Sequence, residues 1–132
     1  MNNKLIDNQT IPKLIPRQVH AVTDYGYAAM FSAAPEAVGF TDEKTAALLS
    51  RVVGGKVLLT SLLTRYELGV IRVLPFKAHL AADVVLGLLT MGAPFMFGFS
   101  RNKKARNFFV GMGAFSVMAG LLTEPEEMDE KA

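Results

Sequence analysis

The sequence predicts an all-α fold: four transmembrane helices arranged as two tandem, parallel helical-hairpin repeats. Three observations predict it. The skeleton Pro-x3-His-x3-Asp-x10-Pro-x3-Gly-Phe occurs twice, on Pro16, His20, Asp24, Pro35, Gly39 and Phe40 and again on Pro75, His79, Asp83, Pro94, Gly98 and Phe99, at a constant offset of 59 residues. The offset also carries Lys44 onto Lys103, Gly54 onto Gly113, Leu62-Leu63-Thr64 onto Leu121-Leu122-Thr123 and Glu67 onto Glu126. Self-similarity of this kind outranks any local reading. Finally, no charge occurs from Val84 to Ser100 or from Asn107 to Leu122. A helix apolar all round is buried or in lipid, and a soluble bundle of four cannot bury two such helices completely.

The composition narrows the function classes. Hydrophobic residues make up 51% of the 132 and charged residues 20%; there is no Cys. That removes disulfides and thiolate metal sites. A net charge of +2 does not argue for nucleic acid, and the basic cluster Arg101, Lys103, Lys104 and Arg106 has no interleaved aromatic and suits a membrane-flanking loop. No Gly-rich phosphate loop, nucleophile setting or His-Glu-x-x-His pattern occurs, so the sequence gives no support to an enzyme. The polar start does not resemble a cleaved signal peptide.

In chain order, residues 1–18 read as a polar tail, 19–67 as the first repeat with two spans, 68–77 as an interfacial link, 78–126 as the second repeat and 127–132 as an acidic tail. Within the repeats the helices are expected near 19–40, 45–63, 77–99 and 107–122. Pro35 should kink or end the first helix, and Thr41 or Asp42 could cap the second. Two small-residue patterns, Ala29/Ala33/Ala37 and Ser116/Gly120, suit close helix approach. A span needs about 20 mainly apolar residues. The first two helices meet this only if Asp24, Glu36, Arg51 and Lys56 face protein or an interface.

Two spans per repeat put both repeats in the same orientation, related by an axis along the membrane normal. Both chain ends and the link then share one side, with Lys4, Lys13, Arg17, Arg65, Arg72 and Lys77. Lys44, Arg101, Lys103, Lys104 and Arg106 share the other, with Arg51 near it. The positive-inside balance places the termini, by a small margin, in the cytoplasm.

Chemistry concentrates near the terminal side. His20 and Asp24 share a helix face, as do His79 and Asp83. With Glu67 and Glu126, and with Thr64 and Thr123 closing their helices, they should form a polar layer. Lys56 lies at a depth matching Asp24, counted at about 1.5 Å per residue, so an Asp24–Lys56 pair is expected. The leading reading of the layer is structural, each Asp accepting from its own His or a neighbouring helix end. The alternatives are proton relay or small-solute transport, or metal or haem ligation, with His20, Asp24, His79 and Asp83 as the candidate ligands. No cofactor is expected on the leading reading; the expected partners are the lipid bilayer and either a second copy or another membrane protein.

The His-x3-Asp starts, the later Pro with Gly-Phe, and the link Leu63-Thr64-Arg65-Tyr66-Glu67-Leu68-Gly69 resemble the SPW-repeat type of small bacterial membrane protein. The namesake Ser-Pro-Trp is not intact: the matching positions read Ala34-Pro35-Glu36 and Ala93-Pro94-Phe95, and the chain has no Trp. The resemblance covers most of residues 16–126. It implies four spans in a bacterial inner membrane and brings neither an assigned activity nor catalytic residues.

Overall fold

The computed structural model describes residues 11–129; residues 1–10 of the polar tail and 130–132 of the acidic tail lie outside it. Four helices follow one another: α1 (Arg17–Ala34), α2 (Lys44–Leu63), α3 (Phe76–Met96) and α4 (Lys103–Leu122). The architecture is all-α. Three of the helices, α2, α3 and α4, are long and apolar enough to cross a membrane.

The ends of the recurring skeleton explain themselves physically. Pro16 and Pro75 precede α1 and α3, and each carbonyl accepts from the N–H of the His four residues on. A proline suits that place because the first N–H groups of a helix have no partner within it. At the other end, Gly39 (φ +96°) and Gly98 (φ +79°) take the left-handed conformation that L side chains avoid. The next N–H, of Phe40 or Phe99, donates back to the carbonyl of Pro35 or Pro94 at 2.9 Å. This is the six-to-one bond of a helix stop, with an apolar residue just past the glycine. Both phenyl rings are buried. Pro35 ends the α-helical part of α1, and a π-helical turn, Pro35–Gly39, follows. Pro94 lies inside α3, which continues to Met96.

Three local expectations change. The α2 start sits at Glu43 with no side-chain cap, so neither Thr41 nor Asp42 caps it. The basic segment 103–106 is the first turn of α4 rather than a loop, because Asn102 caps that helix by accepting from the Ala105 N–H at 3.1 Å. Ala29, Ala33 and Ala37 are exposed. Close backbone approach happens at the buried Gly54 and Gly113 and, as the Ser116/Gly120 pattern suggests, at Gly120. A Cβ on Gly54 would lie 2.9 Å from Ser32 N, one on Gly113 2.6 Å from Gly87 O, and one on Gly120 2.8 Å from Leu80 O. Each hairpin is thus packed backbone to backbone.

Between the hairpins the contacts run through rings. Phe31, Phe40, Phe99 and Phe109 form one buried cluster at the end carrying the two Gly-Phe turns. Ala21, Tyr66, Phe76 and Leu80 form a second at the opposite end. The segments flanking the helices meet there: Leu14 and Ile15 donate to Leu122 O, and Ile15 bridges Thr123 as Leu74 bridges Thr64. Large apolar side chains stay exposed on all four helices, among them Val22, Met30, Leu48, Leu59, Leu88, Phe95 and Met118. An apolar exterior of this extent is not what water-facing monomers present.

Candidate functional site: a buried His–Asp cluster between the hairpins

His20 and His79 each sit one turn into their helix, with Asp24 and Asp83 one turn further. The 3.6-residue period brings each His and Asp onto one face, and the packing turns both faces toward each other. The side chains of His20, His79, Asp24 and Asp83 are 1%, 2%, 11% and 19% exposed. One ligand-type atom from each of the four lies within 4.8 Å of all the others.

The pairing is crossed. His20 Nε2 lies 2.9 Å from Asp83 Oδ2 and 3.3 Å from its own-helix partner Asp24 Oδ1. His79 Nε2 lies 2.9 Å from Asp24 Oδ2 and 3.4 Å from Asp83 Oδ2. Of the expected pairing, in which each Asp accepts from its own His or a neighbouring helix end, the own-helix contacts are present at 3.3 and 3.4 Å, but the shorter contact of each His runs to the other hairpin. The second ring nitrogens also cross. His20 Nδ1 lies 2.7 Å from Thr123 Oγ1, and His79 Nδ1 lies 2.7 Å from Thr64 Oγ1.

These threonines fix a proton on Nδ1 of each histidine. Thr64 donates its only hydroxyl proton to Thr60 O at 2.6 Å, and Thr123 donates to Ala119 O at 2.5 Å. Each oxygen can then only accept from the imidazole, so both Nδ1 atoms carry hydrogen. Both Nε2 atoms face carboxylates.

Tyr66 completes the wall. Its ring is fully buried and its hydroxyl donates to Asp24 Oδ2 at 3.0 Å. Burial next to Asp24 pushes its phenol pKa up, so it remains a donor. The Tyr66 and Phe76 rings pack near His79 and His20, at centroid distances of 5.5 Å in each case. A cavity of about 70 Å³ between the hairpins reaches the cluster from the bundle middle, lined by Asp24, Asp83, Tyr27, Lys56 and Ser116 among others. That is room for a few waters.

Lys56, Glu67 and Glu126 do not join the cluster. Lys56 lies on the cavity wall but is exposed, and among the described residues it forms no ion pair. Asp24 is already occupied by His79, His20 and Tyr66. We expect Lys56→Met to change the stability of the detergent-solubilised protein by no more than about 0.5 kcal/mol, the usual range for surface changes; chemical unfolding measures it. Glu67 turns outward to Arg17, whose guanidinium reaches it at 2.9–3.3 Å and holds its carboxyl below the usual range. Glu126 is exposed and contributes its carbonyl to Arg17. Glu36 and Arg51 pair with each other on the outside at the Gly-Phe end.

Helices of this length and apolarity, with apolar side chains facing outward and ionisable groups gathered inside, define a membrane protein associated with the lipid bilayer. The chain belongs to the SPW repeat domain family, whose model matches residues 18–123. No curated protein and no solved structure matches it.

Proposed function

We propose that the chain is a four-span integral protein of the bacterial inner membrane, built by duplication of one helical hairpin, in which the His–Asp cluster acts as a polar clasp between the two copies. Its role on this reading is architectural or interactive. The observation that carries it is the crossing: every short histidine contact, to Asp83, Thr123, Asp24 and Thr64, joins one hairpin to the other. Duplication is supported by the contacts themselves, because each of these contacts maps onto its counterpart by the same 59-residue shift. On this reading α1 is the fourth span, since its charged groups Asp24 and Arg17 are covered by partners. The topology follows: reporters fused after residue 15 and after residue 126 should sit in one compartment, expected to be the cytoplasm, and one near Lys103 in the other. Reporters at 15 and 126 on opposite sides would overturn the parallel arrangement.

The cavity favours a second reading, proton relay or solute passage at the same cluster. It reaches both carboxylates, and Asp83 is the more open of the two. The discriminating measurement is proton flux into proteoliposomes under an imposed gradient. Flux in the unmodified protein that Asp83→Asn abolishes supports relay; flux no greater than in empty vesicles leaves the clasp alone.

A further inference from the structure

We propose that the cluster is a binding site for a divalent transition-metal ion of the zinc class, held by His20 Nε2, His79 Nε2, Asp24 and Asp83. The proposal rests on the clasp reading only in using the same four side chains.

Ligand geometry is the first observation. A tetrahedral ion with bonds of about 2.0–2.2 Å to nitrogen and oxygen separates its ligand atoms by about 3.3–3.5 Å. The four His-to-Asp separations are 2.9, 2.9, 3.3 and 3.4 Å. These four are near the required spacing, and all four ligand atoms lie within 4.8 Å of one another, so side-chain adjustment brings the set to a coordination shell.

The second observation is an unsatisfied atom. His79 Nε2 is completely buried, yet it makes no hydrogen bond. It approaches Asp24 Oδ2 to 2.9 Å, but off the direction a ring N–H would need, and the Tyr66 hydroxyl already donates to that oxygen. Buried polar atoms left without a partner are uncommon and ask for an unseen occupant.

The third is the support around the ligands. Metal-bound imidazoles nearly always donate their other N–H to an oxygen that fixes the ring. Thr123 and Thr64 do this for both rings, and the threonine protons, committed to Ala119 O and Thr60 O, leave no other arrangement. Neutral Nδ1–H tautomers present an Nε2 lone pair to the cluster. Facing carboxylates, those lone pairs repel unless a proton or a metal cation lies between; the proton gives the clasp and the metal gives the site. Two carboxylates and a dipositive ion sum to zero charge, which suits a site walled by Tyr66, Phe76 and apolar helices. Imidazole and carboxylate together suit zinc or iron better than calcium or magnesium. The cavity beside Asp83 supplies an entry for the ion.

The test uses tag-free protein in detergent, stripped with a chelator and titrated with zinc. His20 and His79 are the only histidines in the chain, so histidine nitrogen NMR reads the site without mutation. With one equivalent of zinc, both Nε2 resonances should shift to metal-bound positions while both Nδ1 atoms stay protonated. Cobalt should give the intense visible bands of a tetrahedral ion. Thr64→Val should weaken zinc binding by about 10–100-fold, the usual effect of losing an outer-shell partner. Nε2 resonances unmoved at one equivalent, or zinc bound without moving them, would overturn the metal site. The clasp is scored separately, by the stability of chelator-treated variants.

Discussion

His79→Ala lowers the stability of the metal-free, detergent-solubilised protein by about 3–5 kcal/mol, the usual cost of stranding one member of a buried charge pair. The substitution removes the short cross-hairpin contact to Asp24 and the bond to Thr64. Asp24 is then left in a pocket walled by Tyr66 and Phe76, with the longer contact to His20 and the Tyr66 hydroxyl as its remaining partners. The missing imidazole also leaves a void next to two rings, which adds to the loss. Adding Asp24→Asn should return much of the deficit, because the stranded charge disappears. Unfolding in denaturing detergent gives both numbers. A near-neutral single variant, or losses that simply add in the double variant, would remove the clasp from the account.

The second large effect lies away from the cluster. Gly113→Leu should destabilise by about 1–3 kcal/mol or somewhat more, the range for overpacking. The new Cβ would sit 2.6 Å from Gly87 O and 2.7 Å from Met91 N, and the rest of the side chain has still less room. These are backbone atoms of α3, so relief requires α3 and α4 to separate. Gly87 faces the same constraint from the other side, 2.7 Å from Gly113 O. The control is on the same helix: Gly111→Leu meets nothing within 4 Å and points outward. It gains the helix propensity that glycine lacks, up to about 1 kcal/mol, and should be neutral or slightly stabilising. Thermal unfolding of the pair in one detergent decides; equal melting temperatures would mean that α3 and α4 do not depend on this approach.

Much of this was legible because the skeleton pairs each chemical group with a backbone need. Pro at the helix start, His one turn in and Asp two turns in define a face, and Gly-Phe defines the stop. The Thr64 and Thr123 positions followed from the offset. What was not legible is rotation. α2 is apolar nearly all round, so its sequence does not say which side faces the bundle, and depth alone put Lys56 next to Asp24. The structure leaves Lys56 exposed at the cavity wall without an ion pair and gives Asp24 to histidine. Crossing between hairpins was hidden for a similar reason: own-helix and cross-hairpin partners differ by only a few tenths of an ångström. Tyr66 was missed because the link read as a surface segment. The signal, an aromatic two residues after the helix-closing Thr64, has no copy at position 125, which is proline. The alanine pattern on α1 misled because small residues permit close approach without requiring it.

The seam between Ile15 and Thr123 has a consequence for the order in which the polypeptide is written. Ile15 lies against Thr123 as Leu74 lies against Thr64, and Glu124 N–H donates to Ile15 O. Residues 14–15 and 122–124 therefore meet where the other hairpin junction is continuous. A chain joined across that seam and opened within residues 65–73 would present the same four helices with the second hairpin leading. The contacts are indifferent to which hairpin leaves the ribosome first; they ask only that both be present and lie side by side.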